Sequence, residues 1–111
     1  MESVIASRGQ ARGVRLLSAA GTDAIFEVQA EGMDRVLGVQ GRMGMGYGLS
    51  NPPELPLGPR GCYWGGYGGS IVIIDQDTEL TACYVMNRME AGITADTRGA
   101  NITAAAMAAV A

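Results

Sequence analysis

The run Ser70-Ile71-Val72-Ile73-Ile74 constrains this chain more than any other segment. Its consecutive branched aliphatics leave no polar face, and branching at Cβ favours extended backbone, so the run predicts a strand buried on both faces. Both flanks are punctuated. Gly68-Gly69 breaks the chain ahead of it and leaves Cys62 to Tyr67 as a separate short strand. Asp75-Gln76-Asp77-Thr78 is a turn, and Leu80 to Asn87 returns as the neighbouring strand of a tight hairpin.

The remaining segments follow from local signals. Glu2 to Gly13 carries helix formers interrupted by Gly9 and Gly13, which predicts a short helix ending near Gly9. Ser18 is a good N-cap, so Ala19 to Ala30 is expected to be helical, with Gly32 as its stop. Val36, Leu37 and Val39 form a short apolar run. Met43-Gly44-Met45-Gly46-Tyr47-Gly48-Leu49 alternates side chain with glycine, which predicts a strand bearing Met43, Met45, Tyr47 and Leu49 on one face and close packing on the bare one. Asn51 to Pro59, with its prolines, is a loop. Asp96 caps an alanine-rich C-terminal helix whose Ile102, Ala105, Ala106, Ala109 and Val110 share a face toward the sheet. Gly99 weakens its first turn by about 1 kcal/mol relative to Ala. The expected fold is α+β, an antiparallel sheet of about three to four strands with the C-terminal helix packed on it. No repeat or linker divides residues 1–111 into two domains.

Composition removes whole classes of chemistry. There is no His and no Lys, so all 8 basic residues are Arg, against 11 Asp and Glu, for a net charge of −3. That excludes within this chain a Ser-His-Asp triad, a Cys-His pair, a His-rich metal site, a Schiff-base Lys and a phosphate-loop Lys. Dispersed Arg residues and an acidic balance argue against nucleic acid, because binding phosphates needs a clustered basic face. No window holds the roughly 18 apolar residues of a spanning helix, and Arg8, Gln10, Arg12 and Arg15 interrupt any signal-peptide block. A cytoplasmic chain without membrane contact is expected. No cofactor is expected either.

The two cysteines, Cys62 and Cys83, match no zinc spacing. With the turn at Asp75 to Thr78, Cys83 falls opposite Ser70, and turning at Gly68-Gly69 puts Cys62 near Asp75. Two strands and about five residues then separate them, roughly 15 Å or more. A disulfide needs Cα atoms within about 7 Å. Two free, buried, structural thiols are expected. The seven methionines read as adaptable core filler. Tyr47, Tyr63 and Tyr84 read as sheet aromatics, and Asp75 and Asp77 as turn formers. Ser70 has no base in reach and begins a strand.

The glycines do not form a nucleotide site. Neither Gly44-x-Gly46 nor the cluster Gly65, Gly66, Gly68, Gly69 leads into a helix start or a Lys-Ser/Thr pair. Tyr63-Trp64-Gly65-Gly66-Tyr67-Gly68-Gly69-Ser70-Ile71 instead resembles the third motif of the serine β-lactamase-like superfamily, which includes class C β-lactamases, penicillin-binding D-peptidases and family VIII carboxylesterases. There a strand carries Lys-Thr-Gly, or a His-x-Gly or Trp-x-Gly variant, before a glycine turn into an apolar strand. Trp64-Gly65-Gly66 matches the Trp-x-Gly variant of the esterase branch. Gly44 to Leu49 resembles the strand preceding the motif, and Ala82 to Met89 resembles the last strand. Val4 to Ser18 is similar to the last helical segment before the family returns to its sheet.

The resemblance implies that the Tyr67 N–H is one half of an oxyanion hole, and that Trp64, Gly65 and Gly66 line the substrate site. Trp64 would form an apolar wall and favours esters over a carboxylate-bearing lactam. The family's nucleophile lies in a Ser-x-x-Lys motif, which a chain without Lys cannot hold. The resemblance is therefore to a C-terminal portion, whose partner is the N-terminal portion of the same enzyme or a second copy of the chain. Two function classes follow. One is the oxyanion-strand half of a serine ester hydrolase, inactive alone; the other is a non-catalytic fragment or binding module that self-associates through the Thr81 to Met86 edge.

Overall fold

The computed structural model describes residues 1–52 and 57–111. In chain order the elements are α1 (Glu2–Ala6), β1 (Gln10–Ala11), β2 (Val14–Arg15), α2 (Ala19–Asp23), β3 (Ala30–Met33), β4 (Gln40–Met43), β5 (Gly48–Leu49), β6 (Gly61–Gly65), β7 (Ile71–Asp75), β8 (Leu80–Tyr84) and α3 (Thr97–Val110). Strands β3 to β8 form one six-stranded antiparallel sheet in sequential order, and β1 and β2 make a separate small hairpin. The α+β class is as expected, but the sheet is larger than three to four strands. The extra strands come from residues whose local signals pointed elsewhere.

The expected helix over Ala19 to Ala30 is one such region. Ser18 does cap it, its Oγ accepting the Gly21 N–H at 3.0 Å. Helix α2 nevertheless ends at Asp23 and passes through a 3-10 turn, Ala24–Phe26. Ile25 is drawn into a core cluster with Ile5, Ala6, Leu49, Cys62 and Ile74, and the chain behind it turns extended. By Gln29 the backbone already bonds to Met43, so long-range pairing has replaced helix propensity. Gly32 is not a helix stop but lies within β3, opposite Gly41. Val36 and Leu37 sit at the β3–β4 hairpin tip, where both N–H groups donate to Asp34 Oδ1 at 2.8 Å.

The Met43 to Leu49 segment is a hairpin rather than one strand. Met43 pairs with Gly48, and Gly46 takes φ +78, the left-handed conformation that glycine permits. Close packing against bare backbone holds at its two ends only. A Cβ at Gly44 would collide with the Ile25 carbonyl and one at Gly48 with the Tyr63 ring, while Gly46 faces open space. Of the expected loop Asn51 to Pro59, residues 53–56 lie outside the described residues.

The C-terminal half follows the expected order with a shifted register. The turn after β7 is Gln76 to Glu79, so Asp75 pairs with Leu80 and Cys83 lies opposite Val72, not Ser70. Asp75 shapes that turn through its carboxylate, accepting from the Asp77 N–H at 3.2 Å and the Thr78 hydroxyl at 2.7 Å. Gln76 is pulled inward, donating to the Ile5 carbonyl at 2.9 Å, which sets where the turn begins. Cys62 pairs with Ile74, next to Asp75 as expected. The thiols are two strands apart but displaced by two residues rather than five; both are free, Cys62 buried and Cys83 exposed. Strand β8 stops at Tyr84, short of Asn87.

Strand β7 is covered on both faces. Cys62 and Ile74 lie in the core cluster with Ile5 and Ala6 of α1, while Ile71 and Ile73 face the side that holds α3. Asp96 caps α3 as expected. Its buried residues are Gly99 and Thr103, not the Ile102 face, and Ile102 is exposed. The reason is Gly99 itself. A Cβ there would come within 3.1 Å of Ile71 and of Tyr84 and 3.2 Å of the Gly69 carbonyl, so the bare residue sets the line of closest approach. None of the methionines is in the buried core, contrary to the core-filler expectation; the small core is built from aliphatics of α1 and the sheet.

Candidate functional site

The motif residues occupy the end of β6 and the turn into β7. Trp64 is 53% exposed and Gly65 closes β6 opposite Ile71. Gly66 and Tyr67 follow in the turn, with the Tyr67 side chain 64% exposed. Gly68 and Gly69 take φ +106 and +116, so both need glycine. Trp64, Val72 and Cys83 are cross-strand neighbours in one row, all on the face that carries Cys62 and Ile74.

The backbone donors of the turn can be accounted for one by one. Gly66 N–H donates to the Ser70 carbonyl at 3.2 Å, Gly68 N–H to the Gly92 carbonyl at 3.0 Å, and Gly69 N–H to the Gly66 carbonyl at 3.5 Å. Among the described residues, Tyr67 N–H has no acceptor. A cavity of about 370 Å³ adjoins this strand end, lined by Trp64, Gly65, Gly66, Ser70, Val72 and Cys83 among others.

A larger concavity of about 680 Å³ lies on the opposite side, between α3 and the sheet, where Tyr63, Ile71, Ile73, Thr103 and Met107 line it. Its walls are mostly apolar, with the Asp96 carboxylate and the Tyr63, Thr94 and Thr103 hydroxyls among their polar groups, and none of the motif residues Trp64 to Tyr67 lines it. Burial raises the Tyr63 hydroxyl above its ordinary range. The Cys62 thiol is pushed up to about 12, chiefly by burial and further by the Glu2 and Asp75 carboxylates. It is therefore a neutral thiol and no nucleophile. Among the described residues no cluster of three or more His, Cys, Asp or Glu could hold a metal ion, and no helix is long and apolar enough to cross a membrane.

One structural feature beside the motif escaped the sequence. After β8 the chain runs back over the glycine turn as an irregular strap, and Glu90 N–H donates to the Gly68 carbonyl at 3.1 Å. The Met86 and Met89 methyls fill the space where a Gly68 side chain would be. Arg98 joins the strap to α3, donating to the Arg88 carbonyl at 2.9 Å and pairing with Asp96. Its hydrogen bond holds the Asp96 carboxyl below the usual carboxylate range, aided by the Gly99 and Arg98 N–H groups. The pair Asp96-x-Arg98 at a helix start was the available signal; the target of Arg98, ten residues upstream, is visible only in three dimensions.

No family model and no curated protein matches the sequence. Solved structures do. A family VIII carboxylesterase superposes with TM-score 0.87 at 29% identity, and a penicillin-binding protein homologue from Caulobacter crescentus with TM-score 0.87 at 27%. Each match covers 96% of this chain and 29% of the other. The chain thus has the architecture of the C-terminal portion of a β-lactamase-like fold.

Proposed function

We propose that this portion of a β-lactamase-like fold supplies the oxyanion strand of a serine ester hydrolase. The nucleophile comes from the N-terminal portion bearing the Ser-x-x-Lys motif. The observation that carries this reading is the unclaimed Tyr67 N–H, the one donor of residues 66–69 without an acceptor among the described residues. It lies beyond two glycines whose missing side chains allow a carbonyl to approach the strand. As the serine oxygen adds to an ester carbonyl, charge develops on the carbonyl oxygen, and a preset N–H stabilises it by about 3 kcal/mol. The alcohol leaves with a proton to give an acyl-serine, and water then releases the acid and restores the serine. Trp64 walls the site with an apolar surface and has only its indole N–H to donate, which favours acyl or aromatic esters over a substrate carboxylate.

The test is a chromogenic short-chain ester assayed with the chain alone and with the N-terminal portion added. Hydrolysis is expected only from the assembly, and turnover by the isolated 111 residues would sink the proposal. Tyr67→Pro removes the N–H and is expected to lower the assembled rate by about 100-fold to 1,000-fold. Unchanged turnover in a folded variant would remove Tyr67 from the site.

A second reading, a self-associating module, is favoured by one observation. Strand β8 is an end strand of the sheet, and Val85 beyond it is 81% exposed. Edge-to-edge pairing would give a dimer in size-exclusion chromatography; a monodisperse monomer would count against it.

A further inference from the structure

We propose that Arg98 is a positioning residue for the Tyr67 N–H, acting through the strap that closes over the glycine turn. The inference rests on the reading of Tyr67 as the oxyanion donor. A turn with two left-handed glycines has little stiffness of its own, so the direction of the N–H inside it must be set by the groups around it. Two peptide planes matter. The Gly66–Tyr67 plane carries the N–H in question, and its carbonyl is held by Gly69 N–H at 3.5 Å. The next plane, Tyr67–Gly68, is held by the strap, through Gly68 N–H to the Gly92 carbonyl at 3.0 Å. Glu90 N–H grips the far side of Gly68 through its carbonyl at 3.1 Å. The internal bond is long and the two strap bonds are short, so the strap is the stronger constraint.

The strap has no regular structure, and Arg98 closes it. The guanidinium donates through Nη1 to the Arg88 carbonyl at 2.9 Å, near the strap's start. Through Nε it donates to Asp96 Oδ2 at 3.0 Å, at the strap's end, and Nη2 meets the same oxygen. Asp96 is itself fixed, because its Oδ1 accepts from the Arg98 N–H at 2.9 Å and the Gly99 N–H at 3.3 Å. The pair also bears on the turn directly. A Cβ at Gly69 would lie 2.5 Å from Asp96 Oδ2 and 3.4 Å from Arg98 Nη2. A planar fork that reaches both a carbonyl and a carboxylate is a task for Arg, which Lys, with a single ammonium, performs only in part.

Amide exchange by NMR on the full 111-residue chain tests the mechanical half. In Arg98→Ala, Gly68 amide exchange is expected to rise about tenfold or more while Trp64 and Ile73 keep theirs. Arg98→Lys is expected to recover part of the protection. Asp96→Asn keeps the N-cap and removes the charge that holds the guanidinium, so it is expected to act like Arg98→Ala and serves if that variant does not fold. In the assembly, Arg98→Ala is expected to lower kcat about tenfold with KM within about twofold, because an oxyanion donor acts in the transition state. Unchanged Gly68 exchange overturns the proposal, and so does an equal loss at Ile73, which would make Arg98 a general stabiliser. If Gly68 exchange rises but Tyr67→Pro leaves the assembled rate intact, the oxyanion reading has failed and the catalytic role of Arg98 falls with it. If Tyr67→Pro abolishes the rate and Arg98→Ala leaves kcat unchanged, positioning alone has failed.

Discussion

Two rows of side chains cross the same three strands on the same face of the sheet, and they meet opposite environments. Cys62, Ile74 and Thr81 form one row, and α1 packs over it. Trp64, Val72 and Cys83 form the next, and it is open at its two ends, where Trp64 and Cys83 are exposed, while Val72 between them is half-buried against the core. Strand propensity is similar in both, so what separates them is the neighbouring element. The closed row builds the core; the open row borders the end of β6, beside the Tyr67 N–H that has no acceptor among the described residues. The same sheet face is thus sealed at one end and exposed at the other.

The sharpest way to break this comparison is thiol reactivity. With a water-soluble disulfide reagent near neutral pH, Cys83 is expected to react about a thousandfold faster than Cys62, which must wait for the fold to open. Comparable rates, read by peptide mapping, would mean that α1 does not seal its row. Next in size is truncation. Ile74→Ala is expected to cost about 3 to 4 kcal/mol by urea unfolding, and Val72→Ala in the open row about 1 kcal/mol. Equal losses would erase the distinction.

Alkaline pH gives a third test. The folded Cys62 thiol lies at about 12, above its ordinary value of 9.0, so the unfolded chain releases its proton first. The stability this contributes is full below about 9 and is lost as the pH rises toward about 12. Tyr47 is shifted the same way, by burial and by donating to Glu2 Oε2 at 2.7 Å, and adds to the loss. Cys62→Ala is expected to flatten the fall in thermal midpoint across that range; an unchanged slope would put the alkaline loss elsewhere. The smallest effect concerns α3. Gly99→Ala gains about 1 kcal/mol of helix propensity yet is expected to destabilise by about 1 kcal/mol net, because the methyl presses on Ile71 and Tyr84. A stabilised variant would show that the helix can shift freely on the sheet.

Much of the C-terminal half was legible in the residues. The branched run, the turn after it, the start of the returning strand and the Asp96 cap are short-range signals, and each stands within a residue of its expected place. The motif at Trp64 to Tyr67 was legible as a glycine-bare strand end. The strap over Gly68 was not, because nothing in Met86 to Asp96 has a periodicity, and its bonds run to a turn some 20 residues earlier.

By itself the sequence determined which chemistries are absent, since no His or Lys occurs, and where chain direction must change. It determined the two caps and the identity of the β-branched strand β7, because capping and β-branching act within a few residues. Only the tertiary structure decided that Ile25 would leave its helix for the core, that Gly99 rather than Ile102 would face the sheet, and that one of four turn donors would find no acceptor among the described residues. Each depends on partners distant in sequence. A local pattern specifies a conformation, but burial, close approach and unspent hydrogen bonds are properties of the assembled packing.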